Sequence, residues 1–312
     1  SDWLAPDIAW AAFSVIAPLA AALLSLPLAR HARYIALPAA LLGLIVSCAG
    51  AAQVWLHGTV VVAAGGWAPP LGIMLRLDGL AAAFLLLTAT ISTAVAWYAL
   101  PQFAARGASE SRSGFAFWPL LFFLWAGLNA LLVSNDLFNL YVALELIGLT
   151  AVALVALDGK PAVIAAALRY LLFALFGSLA YLLGVVLLYA QYATLDMALL
   201  RPVAQADFAT LLAAALMTAG LLAKTALVPL HAWLPPAHAG APAPASALLS
   251  ALVVKGSFYV VIRLWFDVLP SQAGAAFTTL LGTLGALAIL YGSVLAFRQN
   301  RLKPIIAYST VA

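Results

Sequence analysis

Apolar stretches of about 20 residues recur through the whole of this 312-residue chain, and that recurrence leaves few folds open. They cover residues 8–28, 34–55, 77–100, 115–133, 137–157, 162–190, 208–230, 243–266 and 273–297, and a tenth begins near Lys303. At about 1.5 Å of rise per residue, each full stretch is long enough to cross roughly 30 Å of hydrocarbon as a helix. Only helices and closed barrels satisfy every backbone group in lipid, and runs of this length select helices. Composition agrees, because only 8% of residues are charged against about 25% in soluble domains. The expected fold is an all-α polytopic membrane protein of about ten transmembrane helices, with the lipid bilayer as its first partner.

Several chemistries are excluded at this stage. The single cysteine, Cys48, lies in an apolar run, so no internal disulfide or cysteine metal site can form and a packing role is expected. No phosphate-binding glycine loop, His-x-x-x-His pair or Gly-x-Ser-x-Gly elbow occurs. The chain therefore carries no catalytic site of its own that can be read from motifs, and neither a metal nor a cofactor is expected. The net charge of +4 is spread over loops without a basic, aromatic-interleaved face, which argues against a nucleic-acid partner.

Asp2 and Asp7 stand where a secretory signal would carry positive charge, so the first stretch reads as a retained helix. Residues 57–76 hold a mostly β-branched segment followed by Gly65, Gly66, Pro69 and Pro70, the pattern of an extended or hairpin loop outside the membrane. The longest other polar loop is 105–114, which includes Glu110. Alternating the spans places Arg30, Arg33, Arg106, Arg112, Lys160, Arg298, Arg301 and Lys303 on one side and only Arg76, Arg201 and Arg263 on the other. The positive-inside rule makes the first side cytoplasmic and leaves the N-terminus outside. Trp55, Trp67, Trp118, Trp233 and Trp265 fall near span ends, where interfacial anchors are expected.

Three ionisable residues stand near the middle of apolar spans: Glu145, Lys224 and Lys255. Each costs roughly 2.5–3.5 kcal/mol at a helix centre, so a charge there is by default a functional hypothesis. An acid and two bases at similar depth can exchange protons when burial and neighbouring charge bring their proton affinities together. The same residues would also serve as a structural ion pair between helices. Arg169, about two turns inside its helix, is a candidate charge modulator that either reaches the surface by snorkelling or approaches Glu145.

Pro229 cannot donate to the carbonyl of Thr225 and crowds it, which predicts a helix break just after Lys224. Backbone opened at that depth must be buried in protein or line a wet cavity; a packing kink would look the same. His231 and His238 follow the break as candidate relay residues, since imidazole titrates near neutral pH, or as ordinary loop histidines. His31 and His57 are expected at the surface.

These segments resemble the antiporter-like family that includes the large membrane subunits of respiratory complex I, membrane hydrogenases and Mrp-type cation/proton antiporters. The resemblance rests on NDLFNLYVALE ending at Glu145, KTALVPLHAWLPPAH from Lys224 to His238, APASALLSALVVK ending at Lys255 and LKPIIAYS from Leu302. It implies a five-helix proton-channel unit over 115–267, following three N-terminal helices in 1–114, with residues 268–312 opening a second, inverted five-helix unit that is largely absent. Glu145 then matches the fifth-helix glutamate, Lys224 the lysine of a discontinuous seventh helix and Lys255 the eighth-helix relay. Pro236 departs from the family pattern, where many relatives carry Asp.

The resemblance further implies proton translocation, with Na⁺ as a second cation, beside other membrane subunits in an inner, energy-transducing membrane. It leaves room for a place in a proton-pumping NADH:quinone oxidoreductase-like complex. A transporter of another small solute would also need a broken helix and midplane charges. A structural subunit that no longer transports would bury the same helices without titrating them.

Overall fold

Hydrocarbon offers the backbone no hydrogen bonds, so the long apolar stretches satisfy their own as helices. The computed structural model describes residues 9–28, 31–103, 112–269 and 274–312. Asp2, Asp7, Arg30, Arg106, Glu110 and the side chain of Arg112 lie outside the described residues. Contacts divide the chain into two units, Ser1–Leu157 and Asp158–Ala312.

The first unit contains α1 (Trp10–Leu28), α2 (Ala32–His57), strands β1 (Val60–Ala63) and β2 (Met74–Leu77), α3 (Gly79–Gln102), α4 (Arg112–Val133) and α5 (Leu137–Val155). The β-branched residues before the glycines form the antiparallel hairpin, with Val60 opposite Leu77 and Ala63 opposite Met74. Leu75 bridges to Ser134, and Asn135 N–H donates to Met74 O at 3.0 Å. The hairpin is thereby fastened to the chain that enters α5. Asp136 caps α5 by accepting from Asn139 N–H at 2.8 Å, and Asp78 caps α3 through Ala81 N–H at 2.9 Å. Such caps satisfy helix donors that otherwise have no partner.

Inside this unit small residues let helices approach closely. Trp125 of α4 lies so near Gly43 of α2 that a Cβ there would meet its ring at 2.7 Å. Asn129 donates from Nδ2 to the Ser14 carbonyl of α1 at 2.6 Å, and Thr93 donates to the Ala40 carbonyl at 3.2 Å. Interhelical polar bonds of this kind hold membrane bundles together by roughly 0.6 kcal/mol on average.

The second unit comprises α6 (Pro161–Tyr192), the short α7 (Met197–Leu200), α8 (Phe208–Lys224), α9 (Leu234–Gly240), α10 (Ala243–Leu248), α11 (Val254–Ile262), α12 (Ala275–Phe297) and α13 (Leu302–Val311). A π-turn over Leu249–Val253 joins α10 to α11, and a second follows over Arg263–Val268, giving one helical span Ala243–Val268. Asp196 caps α7 and Asp207 caps α8. The backbone hydrogen bond from Thr210 holds the Asp207 carboxyl below its ordinary range.

Helix α6 turns large apolar side chains outward: Leu172, Phe176, Leu179, Leu183 and Val186 are exposed at alternating steps of four and three. Its inward face is built from small and aromatic residues, among them Ala174, Gly177, Ser178, Tyr181 and Gly184. A Cβ on Gly177 would stand 2.6 Å from the Gly220 carbonyl oxygen of α8, and one on Gly184 2.6 Å from that of Ala213. The two helices therefore touch backbone to backbone.

Among the described residues, eight helical spans are long and apolar enough to cross a membrane. Of the remaining two expected spans, α8 has 17 residues because it is interrupted and α13 has 10.

Three placements differ from the sequence reading. Trp55 and Trp67 are exposed as anchors should be, but Trp118, Trp233 and Trp265 are buried, filling gaps between helices. Cys48 is exposed on the outer face rather than packed inside. Arg263, counted among the charges of the side opposite the cytoplasm, is buried in the last helical turns of its span rather than exposed at its end.

The α6–α8 contact generates a test. Gly220→Ala drives a methyl into the Gly177 carbonyl, which as backbone cannot swing aside, so a loss of about 1–3 kcal/mol is expected from overpacking. Thermal unfolding in detergent should show a lowered midpoint, and an unchanged midpoint would mean that the helices can part at no cost.

Candidate functional site: the broken helix and its polar neighbours

Helix α8 ends at Lys224 because the chain enters the left-handed region at Ala226, φ 55°. Leu227 N–H reaches back to Leu222 O at 3.2 Å and Ala226 N–H to Ala223 O at 3.3 Å, the two bonds of a Schellman cap. The Thr225 hydroxyl lies 3.1 Å from Leu221 O and 3.0 Å from Leu222 O. The Trp233 indole donates to Ala223 O at 2.9 Å while its ring stacks on Tyr170 of α6 at 4.2 Å. The break thus falls immediately after Lys224, as Pro229 predicts, but the chain has already left the helix three residues before the proline.

Lys224 is buried, and its stem runs beside Gly177, whose missing side chain makes room for Cγ. It occupies the last helical turn, where the carbonyl end of the macrodipole favours a cation. Beside the break an open pocket is lined by Leu222, Thr225 and Leu227, by Val254, Lys255 and Phe258 of α11, and by residues 309–312.

Lys255 stands at the middle of the 26-residue span Ala243–Val268. Its Nζ donates at 2.7 Å to Ser250 O, a carbonyl of the π-turn five residues back. The Ser250 and Thr310 hydroxyls are 2.6 Å apart, and Thr310 also donates to Ile306 O at 2.8 Å, so Ser250 is the donor between them. Lys255 is exposed in this chain, with the pocket on one side.

The two histidines take different places. His231 is partly buried and its ring meets Tyr291 of α12 edge to face at 4.7 Å. His238 is buried, with Nδ1 2.6 Å from the Ser246 hydroxyl and Nε2 enclosed without a protein hydrogen-bond partner. Lys303 of α13 donates to Ala241 O at 2.7 Å, just past the end of α9. Arg169 is exposed on α6.

Glu145 belongs to the first unit. It stands at the centre of α5, nine residues past the Asp136 cap, or about 13 Å along the helix. It is half-buried. Gly127 of α4 allows α5 to come close, a Cβ there meeting Ile147 at 3.1 Å.

Sequence reasoning missed two buried polar groups. Arg263 pairs with Asp267 at 2.7 Å and donates from Nε and Nη2 to the Tyr259 hydroxyl at 2.9 and 2.7 Å. The four-residue spacing of Arg263 and Asp267 was the available signal, hidden because both fall at the end of an apolar run. Ser246, one hydroxyl in an alanine-rich run, carried no signal by itself.

The family model for the NADH:quinone oxidoreductase/Mrp antiporter transmembrane region matches residues 134–312, from the start of α5 through every element of the second unit. The chain belongs to this family. It is 40% identical over 252 residues to NADH-quinone oxidoreductase subunit N of Desulforudis audaxviator, covering 79% of this chain and 49% of that protein. It is 29% identical over 304 residues to a Na(+)/H(+) antiporter subunit of Bacillus subtilis, covering 95% and 60%. A chain of the membrane-bound sulfane sulfur reductase, an archaeal respiratory membrane complex, superposes with a TM-score of 0.88 at 30% identity, covering 96% of this chain and 62% of that one. A chain of the Mrp complex from Dietzia sp. DQ12-45-1b does so with a TM-score of 0.85 at 25% identity, covering 97% and 57%. The antiporter-like chain thus spans about half to three fifths of the length of these relatives.

In this antiporter-like chain the cap at Ala226 places an alanine at positive φ, 55°. A left-handed L-residue costs about 1–2 kcal/mol, which Ala226→Gly relieves while giving up a buried methyl worth roughly 0.8 kcal/mol. That variant should be neutral or slightly more stable. Ala226→Val, β-branched at positive φ, should lower the thermal midpoint clearly. Equal midpoints for the two variants would contradict the cap.

Proposed function

We propose that this chain is a proton-translocating antiporter-like subunit that moves protons through Glu145, Lys224 and Lys255. It would work among other membrane subunits, as in a complex I-like or Mrp-type cation/proton antiporter assembly. The reading takes residues 115–267 as the five-helix proton-channel unit and 57–76 as a loop outside an inner, energy-transducing membrane. The N-terminus is then also outside.

The observation that carries this reading is the capped break after Lys224, beside an open pocket that Lys255 also lines. A capped break lets a buried ammonium sit beside space that water can occupy, instead of beside lipid. Protons pass between Lys224 and Lys255 through such water, with His231 and His238 as further relay groups. The charge on Glu145 tunes how tightly Lys224 holds its proton, and Arg169 modulates that charge. Na⁺ or K⁺ exchange, named for some relatives, is the variant of this function in which a second cation moves against the proton.

Proton flux through the full-length protein in its native complex, reconstituted in liposomes, is the test. Lys255→Met keeps length and apolar bulk but cannot hold a transferable proton, so assembled complex should lose at least about tenfold in flux, within reach of the 10²–10⁴-fold range of proton-transfer groups. Full flux in an assembled Lys255→Met complex would leave the chain a structural subunit.

Glu145→Gln and Lys224→Ala should each remove most of the flux, and the double variant little more, because residues acting as a unit are non-additive. Independent, multiplicative losses would separate the two residues into unrelated roles.

A further inference from the structure

Ser246 faces two polar atoms that belong to the same residue. Its Oγ is 2.6 Å from His238 Nδ1 and 3.1 Å from the His238 carbonyl oxygen. Both residues are buried, with 5% and 2% of their surface accessible. A hydroxyl has one proton to give, so it serves the ring or the carbonyl but not both at once.

The backbone decides between them. His238 lies in the last turn of α9, whose C-cap is Ala241 in extended conformation. The residue four beyond His238 is Pro242, which has no N–H to donate. The carbonyl of His238 is therefore denied its helical partner, and the Ser246 hydroxyl is the group placed to replace it. A buried carbonyl left without a donor costs about 1–3 kcal/mol.

With the hydroxyl proton committed to the carbonyl, the contact at 2.6 Å requires Nδ1 to be the donor and Oγ the acceptor. A neutral imidazole carries a single N–H, so Nε2 is left as a bare lone pair. Nε2 is the ring atom that is enclosed without a protein partner. We infer that Ser246 is a positioning residue that fixes His238 as the Nδ1–H tautomer and thereby makes Nε2 the proton-accepting atom of the path. The neutral ring takes a proton at Nε2 to become imidazolium and returns it from the same atom, while Nδ1–H stays bonded to Ser246 throughout. This rests on the proposed proton path for its consequence, though not for the tautomer itself.

The test combines nitrogen NMR with flux, on the full-length protein in its native complex in liposomes, labelled with ¹⁵N-histidine. Subtracting the spectrum of a His238→Gln complex isolates the two ring nitrogens of His238. The expected result for the unaltered protein is a protonated Nδ1 and an unprotonated Nε2. Ser246→Ala removes the acceptor for Nδ1–H and should shift the ring toward the Nε2–H form. Flux should fall at least about tenfold, modest beside the roughly 10⁴-fold that a wrong histidine tautomer costs a serine protease. Ser246→Thr keeps the hydroxyl and should restore both tautomer and flux, which a purely volume-filling role would not explain.

An Nε2–H ring in the unaltered protein overturns the inference without any substitution being needed. So does an unchanged tautomer in Ser246→Ala, and if His238→Gln still loses flux in that case the proton path itself stands. A reversed tautomer with undiminished flux instead removes His238 from the path, and with it the assignment of Nε2 as its proton-accepting atom.

Discussion

A helix interrupted at membrane depth leaves carbonyl oxygens that hydrocarbon cannot solvate, and the second unit is organised around that problem. Each unsatisfied backbone group in lipid costs several kcal/mol. At the end of α8, the carbonyls of Leu221, Leu222 and Ala223 are met by the Schellman turn, the Thr225 hydroxyl and the Trp233 indole. Trp233 reaches Ala223 while its ring stacks on Tyr170 of α6. Helix α6 in turn lies close enough only because Gly177 and Gly220 bring the two backbones into contact. The break itself is local, set at Ala226, while the burial of Lys224 beside α6 depends on this glycine-mediated helix contact.

The first unit solves a related problem at its helix starts. Asp78 and Asp136 cap helices, Asp78 also pairing with Arg76 at 3.0 Å, and the hairpin is tied to the turn that precedes α5. With α5 anchored at Asp136, the depth of Glu145 follows from helical rise alone. Glycine again allows the close approach of a neighbouring helix, here at Gly127.

Polar side chains within the spans therefore fall into two sets. Ser14, Ser47, Thr93 and Thr225 return a hydrogen bond to a backbone carbonyl, and that use is complete. The Ser250–Thr310 and His238–Ser246 pairs instead join two side chains to each other, and Lys255 donates to the Ser250 carbonyl beside the first of them. Arg263, tied to Asp267 and Tyr259, belongs with these side-chain pairs, its donors engaged within one helical turn.

The sequence alone determined the membrane class, the order and approximate extent of the spans, the hairpin and the break after Lys224. Each of these depends on local chemistry: the length of an apolar run, β-branching next to glycine, or a proline without an N–H. It also singled out Glu145, Lys224 and Lys255, because a charge in an apolar span stands out whatever surrounds it. Only the tertiary structure decided that Ala226 rather than Pro229 turns the chain, that three tryptophans near span ends are buried, and that Arg263 lies inside a helix with its own counter-ion. It alone brought Ser246 to His238. The reason is that apolar composition looks the same on a lipid-facing surface and in a helix interface. In a bilayer hydropathy fixes which segments are helices, while side-chain partners depend on which helices touch, and here that was set by a few glycines whose closeness to a neighbour leaves no pattern in the chain.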